Sequence, residues 1–583
     1  MAVENLITEH IDIWTSAVKA KSTSGRGSSK KLELYGVKKL RELILELAVR
    51  GKLVPQDPND EPASALLERI AGEKALLVKE KKIKKPKKLE PISTEDCLFD
   101  IPSSWSWERL GNIGETNIGL TYSPKEAGDE GIPVLRSANI QKGKIDLSDL
   151  VRVQKEVKDT VLVEIGDLLI CARNGSKALV GKTAQIKALN EPMAFGAFMA
   201  IFRSCINDYI EVFLNSPVYR RNLDGVSTTT INQITQTNLR STICPLPPVK
   251  EQQRIVAKVD ELMTLCDQLE QQTEASIEAH QVLVTTLLDT LTNSADADEL
   301  MQNWARISEH FDTLFTTEES IDQLKQTILQ LAVMGKLVPQ DPSDEPATEL
   351  LKRIAEEKAQ LVKEKRIKKQ KALPPISEDE KPFELPSGWE WCRLGELVNI
   401  RGGKRLPKGH ALTQEPTPYV YIRVSDMKNG TISTADLHYL SKEAQEQIKN
   451  YIITSDDIYM TIVGATIGKC GVVPVELCGM NLTENAARLS PYSDLDKHYL
   501  HQLLSSGFAQ TQFVDKTKQV GVQKMALNRL ASTLVPLPPI NQQRLIFSKL
   551  SELFDICHKL QLQITTSQDI QLHFTDAIVE QVM

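Results

Sequence analysis

The 583-residue sequence contains no apolar run approaching the roughly 18 residues needed to cross a bilayer. Its first residues, MAVENLITEHIDIW, lack a basic stretch followed by an apolar one, so no secretory signal is expected and the protein reads as cytoplasmic. The nine cysteines are scattered, with no CxxC and no Cys/His cluster at zinc-ligand spacing, which excludes a disulfide framework and a structural zinc. No metal site is expected.

Motifs for chemistry are also missing. RNGSKALVGKT, from Arg173, separates Gly175 from Gly181 by five residues where a P-loop needs four, and Pro192 leaves little room for the helix that must follow. No NPPY or DPPY tetrapeptide is present, and the nine histidines show no Ser/His/Asp or Cys/His arrangement. The chain reads as non-catalytic and as holding no cofactor of its own.

What is present is ordinary for a folded soluble protein: 41% hydrophobic and 25% charged residues, in a length that calls for several domains. The formal net charge of -7 argues against a nucleic-acid binder that uses its whole surface. The acidity is local, however, concentrated between Asp260 and Asp322, whereas the two long inserts are neutral to slightly basic.

The strongest signal is internal repetition. LRELILELAVRGKLVPQDPNDEPASALLERI, from Leu40, recurs from Leu324 as LKQTILQLAVMGKLVPQDPSDEPATELLKRI, and about 39 of the first 54 aligned positions are identical. The match runs on through FDIPSSWSWERLG (Phe99 to Gly111) and FELPSGWEWCRLG (Phe383 to Gly395). A second pair follows: STICPLPPVKEQQR from Ser241 and STLVPLPPINQQR from Ser532. Between these blocks only a thin resemblance survives, VLRSANIQKGKI beside YIRVSDMKNGTI. Two nearly identical frames thus hold two different inserts, in halves of about 1–292 and 293–583.

Each PLPP opens a long helical pattern, because proline restricts both itself and its predecessor and a helix can begin only after it. From Lys250 to about Leu291, the residues Ile255, Val259, Leu262, Cys266, Leu269, Leu283 and Leu287 form one apolar stripe, and a similar stripe runs from Ile546 to Ile578. Their matching length predicts that the two helices pack together. Gly51 and Gly335 are expected to close the helices before KLVPQDP. The inserts, with short runs such as IPVLR, DLLICA, MAIF, YVYIR and DIYMTIV, read as strands of mixed α/β domains.

Arg, Asn and Gln can make bidentate contacts with base edges, and lysines neutralise phosphates. On that chemistry the DNA-contact candidates in the first insert are Lys125, Arg136, Asn139, Arg173, Asn174, Ser176, Lys177, Lys182, Asn232 and Gln233. In the second they are Lys404, Arg405, Lys408, Arg423, Lys428, Lys469, Lys518, Gln523 and Lys524. Turn-forming Asn and carboxylate-paired Arg are the competing structural explanations for any one of them. The lysine runs Lys79 to Lys88 and Lys363 to Lys371 are read as solvated helix ends.

The duplicated GKLVPQDPxDEPA blocks, the two PxxWxWxRLG segments and the two segments PLPPVKEQQR and PLPPINQQR together resemble the DNA-specificity subunits of type I restriction-modification enzymes, most closely the type IB subgroup. The resemblance covers essentially the whole chain. It implies an α+β protein with two target recognition domains separated by long antiparallel helices in pseudo-twofold symmetry. Its segments would be a helical scaffold block at 1–96, a first recognition domain at 97–244, a central scaffold at 245–380, a second recognition domain at 381–535 and a long helix at 536–583. It also implies double-stranded DNA, two methyltransferase subunits and restriction/translocase subunits as partners, with no membrane. S-adenosylmethionine, ATP and Mg would belong to those partner subunits. A stand-alone DNA-binding regulator and a helical scaffold that binds no DNA remain as alternatives.

Overall fold

The computed structural model describes residues 3–21, 31–81, 88–224, 233–492, 494–515 and 524–583. The chain divides into two compact units, one of Met1–Ser276 with Ser567–Met583 and one of Ile277–Thr566. Both division points fall inside long helices, Val249–Asn293 of 45 residues and Ile540–Val582 of 43.

The first unit is built on helix Tyr35–Val49, whose Leu40, Leu43, Ile44 and Leu47 are buried against Ile255, Val259, Leu262 and Cys266 of the long helix. Gly51 ends this helix at φ +71, a conformation costly for any side chain, and a Cβ there would strike Pro102. Polar contacts set the directions. Arg41 reaches Asp267 at 2.6 Å and Glu270 at 2.9 Å, while Gln56, further along, reaches Glu251. Tyr35 donates to Asp576 at 2.8 Å and Lys52 to the Met583 carbonyl at 2.7 Å. Numbering therefore falls along one long-helix segment and rises along the other, so within this unit the two segments are antiparallel.

The second unit repeats the plan on helix Glu318–Val333, closed by Gly335 at φ +72. Lys325 binds Gln561 at 2.7 Å and Asn541 binds Asp344 at 2.8 Å, whereas Gln281 binds Glu319 at 2.7 Å and Lys336 caps the Thr292 carbonyl at 3.0 Å. The segments are again antiparallel, each drawing its polar contacts from the helix of the GKLVP block. One expectation fails here: Leu283 is 50% exposed, and Val284, Leu288 and Leu291 are buried instead. Eighteen residues make five turns at ~3.6 residues each, so Val284, not Leu283, continues the stripe of Cys266.

Each unit carries one head. In the first, strands order as Thr183–Gln185, Leu168–Cys171, Met199–Arg203 and Glu115–Ile118, all antiparallel. In the second the same sheet is formed by Cys470–Val472, Ile458–Thr461, Ala486–Pro491 and Val398–Gly402. Leu168 and Ile170 face the helical core while Leu169 and Cys171 face a separate cluster with Phe195 and Ile201. A strand covered on both faces needs no polar alternation, which explains the continuous LLIC run. A smaller sheet joins parallel pairs, Ala194–Phe195 with Ile132–Leu135 and Met480–Leu482 with Tyr421–Ile422. A strand pair Val18–Lys21 with Leu34 to Lys31 was not expected in the helical first segment.

Candidate nucleic-acid interface

The two ends of each head are stitched to each other. Ser106–Arg109 pairs antiparallel with Ile243–Leu246, and Glu390–Arg393 with Leu534–Leu537, so WxWxRLG and PLPP form one ribbon. Arg109 donates to the carbonyls of Glu90 at 2.8 Å and Ser241 at 2.7 Å; Arg393 donates to those of Pro374 at 3.3 Å and Ser532 at 3.0 Å. Tyr209 and Tyr499, both buried, donate to the Pro245 and Pro536 carbonyls at 2.7 and 3.1 Å. Desolvation holds both phenols above their ordinary range, so they stay donors.

On the first head the structure gathers several candidates. Arg173 lies 5.2 Å over the Phe198 ring and bridges Gln233 through the backbone. Asn174 accepts from the Ser176 N–H at 3.0 Å, an Asx turn, and donates to Ser137 at 3.3 Å. Lys177 and Gln233 line a cleft of about 830 Å³, and Arg136 lines a second cavity of about 570 Å³ with Tyr122 and Phe198. Lys125 is exposed on a short turn that also borders this second cavity through Pro124. Gly181 has φ +83 and is followed by strand Thr183–Gln185, so no helix N-terminus stands where a P-loop would need one.

On the second head, Lys404 is exposed 5.3 Å over the Tyr451 ring, and Arg405 pairs with Glu484 at 2.9 Å. Lys408 and Lys428 are exposed, the latter beside an Asn429–Gly430 hairpin turn. Lys524 is exposed and bridges Val463, the place that Gln233 and Arg173 occupy in the first head.

Two candidates have side chains committed to the frame, and two more have only their main chain committed to it. Asn139 is 1% exposed; its amide accepts from the Arg136 N–H and donates to the carbonyls of Asp146 and Asp149, leaving it no group for DNA. Arg423 is clamped by Asp426 at 2.6 Å and Asp436 at 3.1 Å, which hold its guanidinium strongly protonated. Lys182 and Lys469 are half-buried, and their carbonyls accept from Cys171 and Thr461 in equivalent turns. Arg136 is partly committed too, to Asp149 at 3.3 Å. These positions recur in both heads because both backbones need them. Asn232, Lys518 and Gln523 lie outside the described residues.

The comparisons with known proteins agree with this doubled plan. The type I restriction modification DNA specificity domain matches twice, at residues 102–279 and 386–566. The chain belongs to that family. It is 43% identical to the Type I restriction enzyme EcoAI specificity subunit of Escherichia coli, over 100% of this chain and 99% of that protein. To the EcoEI specificity subunit of Escherichia coli it is 41% identical, again over 100% and 99%. A chain from a structural study of complex assembly and conformational transition of the type I R-M system shares the fold at a TM-score of 0.51. It has 17% identity and covers 83% of this chain and 98% of that one.

Reasoning from residue type missed Phe198 and Glu484. Phe198 sits inside an apolar run and reads as core, yet it is 60% exposed. Glu484 carries the wrong sign for a phosphate contact. Only the structure brings them beside Arg173 and Arg405.

Among the described residues, no helix is long and apolar enough to cross a membrane, and no group of three or more His, Cys, Asp or Glu is placed to hold a metal ion.

Proposed function

We propose that this specificity chain reads a bipartite, asymmetric duplex site, one half per head, and performs no chemistry itself. The observation that supports this is the pairing of equivalent frame contacts with unlike head surfaces: Arg109 and Arg393, or Tyr209 and Tyr499, do the same work, while the exposed loops differ in charge. Identical heads would read identical half-sites, as a symmetric dimer does; diverged heads read two different ones. The repeated frame offers equivalent surfaces to two methyltransferase subunits, which would bring S-adenosylmethionine. Restriction/translocase subunits would bring ATP and Mg. The chain then directs adenine methylation or cleavage in the cytoplasm.

Mapping methylated adenines in cells with and without the chain tests this. A two-part motif with a fixed spacer is expected only in its presence. A mass measurement of the complex with the methyltransferase subunit should show two of those subunits per copy. A regulator acting alone would bind its site tightly without partners, and no change in methylation would follow its removal.

A further inference from the structure

We propose that two short loops meeting at one edge of each head are its base-reading edge, and that Phe198 in the first head and the Arg405–Glu484 pair in the second select the base pair accepted there. This rests on the reading of the heads as half-site readers.

The loops are equivalent in backbone. In the first head Gly119 donates to the Met199 carbonyl and Leu120 to that of Phe195. In the second Gly403 donates to the Ala486 carbonyl and Lys404 to that of Leu482. The approach is so close that a Cβ on Gly119 would overlap the carbonyls of Phe195 and Gly196, and one on Gly403 those of Leu482 and Thr483. Main-chain bonds and a glycine thus set the geometry in both heads, and the most exposed side chains beside them, Phe198 in one and Arg405 in the other, are left outside the core clusters. There the heads diverge. One edge carries Leu120, Tyr122 and Phe198; the other carries Lys404, Arg405 and Glu484.

Each edge presents a pattern that DNA can answer. Arg405 is 82% exposed and gives Glu484 its Nε, while Tyr421 donates to the other carboxylate oxygen at 3.2 Å. The pair offers donors beside an acceptor. The major-groove edge of a G·C pair offers the complement, two guanine acceptors beside the cytosine amino donor. Glu484 supplies an acceptor that a phosphate has no donor to meet, so the donor-acceptor pair as a whole matches a base edge better than a phosphate. At the first edge Phe198 is 60% exposed, and its contact with Arg173 holds a cation beside an apolar surface. The apolar feature of the major groove is the thymine methyl. A Phe left more than half exposed beside a cation is accounted for by that contact.

The test uses the full chain assembled with its methyltransferase subunits and a library of randomised duplexes, with adenine methylation as readout. Glu484→Gln and Arg405→Lys should each lower discrimination at the same G·C pair of one half-site, by about tenfold to a hundredfold, leaving other positions unchanged. Phe198→Ala should do so at one A·T pair of the other half-site, and Phe198→Leu less. Arg405→Lys keeps the test open if Glu484→Gln fails to assemble, since an exposed conservative change does not disturb packing. Unchanged preferences throughout would overturn the inference and leave the half-site reading standing. So would weakening uniform over all positions, or one variant altering both half-sites. Methylation without sequence preference by the unaltered complex would remove the half-site reading itself.

Discussion

The indole N–H of Trp105 donates to the carboxylate of Glu251 at 3.0 Å, and 284 residues on Trp389 donates at 2.9 Å to the amide oxygen of Gln542, the counterpart of Glu251. One half of the duplication thus buries a charge where the other buries a neutral isostere. Glu251 is 1% exposed, and desolvation raises its carboxyl above the ordinary range against the pull of its bonds to Trp105 and Gln56. A raised folded pKa means that the group's stabilisation is full below the unfolded pKa and is lost as pH rises through the folded value. Glu251→Gln should flatten this loss and leave the first unit within about 1 kcal/mol of wild type at pH 7, as Gln542 shows the amide can be accommodated. Trp105→Phe should cost about 1 to 3 kcal/mol, because it leaves the carboxylate short of a donor. Urea unfolding followed by hydrogen exchange in helix 35–49 measures both; a Glu251→Gln variant as damaged as Trp105→Phe would refute the account.

Glu46 gives the opposite dependence. It is 2% exposed, and burial, which alone would raise its carboxyl, is outweighed by Arg221 at 2.6 Å and Arg50 at 2.8 Å, so its pKa is lowered. A lowered folded pKa contributes stability present above the unfolded pKa and lost as pH falls through the folded one. The matching residue in the second unit is Gln330. Acidification below about pH 4.5 should therefore loosen the contact between helix 35–49 and Arg221 before anything comparable occurs around helix 318–333, and Glu46→Gln should remove that difference. Segment-resolved hydrogen exchange across pH 3 to 7 checks it.

Gly119→Ala and Gly403→Ala should each destabilise their own head by about 1 to 3 kcal/mol, because a carbonyl must move and its hydrogen bond with it. Recognition by that half-site should fail first. Gly128→Ala is the control, since a Cβ there meets open space. Equal effects from all three substitutions would show that the close approach is not needed.

Lys408 is exposed on the second head. Lys408→Ala should weaken binding to all duplexes alike and reduce the slope of log affinity against log salt by about one unit. Titrations of the assembled complex at several salt concentrations would show it, and an unchanged slope would assign Lys408 to solvent.

How far the sequence could be read depended on whether a residue's role was local. The helix-ending Gly51 and Gly335, the PLPP starts of the long helices and the doubled frame follow from backbone rules and self-comparison, and the structure shows each in place. The apolar stripe was legible up to Cys266 and then slipped by one position at Leu283, because a stripe interrupted by polar residues no longer fixes its own phase. The candidate contacts were the hardest part. Arg136 and Arg423 share a chemistry with Arg405, and all three have carboxylate partners; what separates them is exposure, 34% and 23% against 82%, which no local pattern gives. Phe198 is the converse, an apolar residue whose exposure no local pattern announces.

The ribbon that joins the two ends of each head also bears on inheritance. Because Arg109 to Ser106 lies beside Ile243 to Leu246, everything between them is a closed excursion whose ends return to one place. Closing a longer excursion costs only about 0.6 kcal/mol per doubling of length. A new head of different size or ancestry can therefore be accepted by exchanging one uninterrupted stretch of coding sequence, provided the few residues of the ribbon are kept. Such a lineage can change the sequence a head recognises in a single genetic event while the remainder of the chain stays as it was.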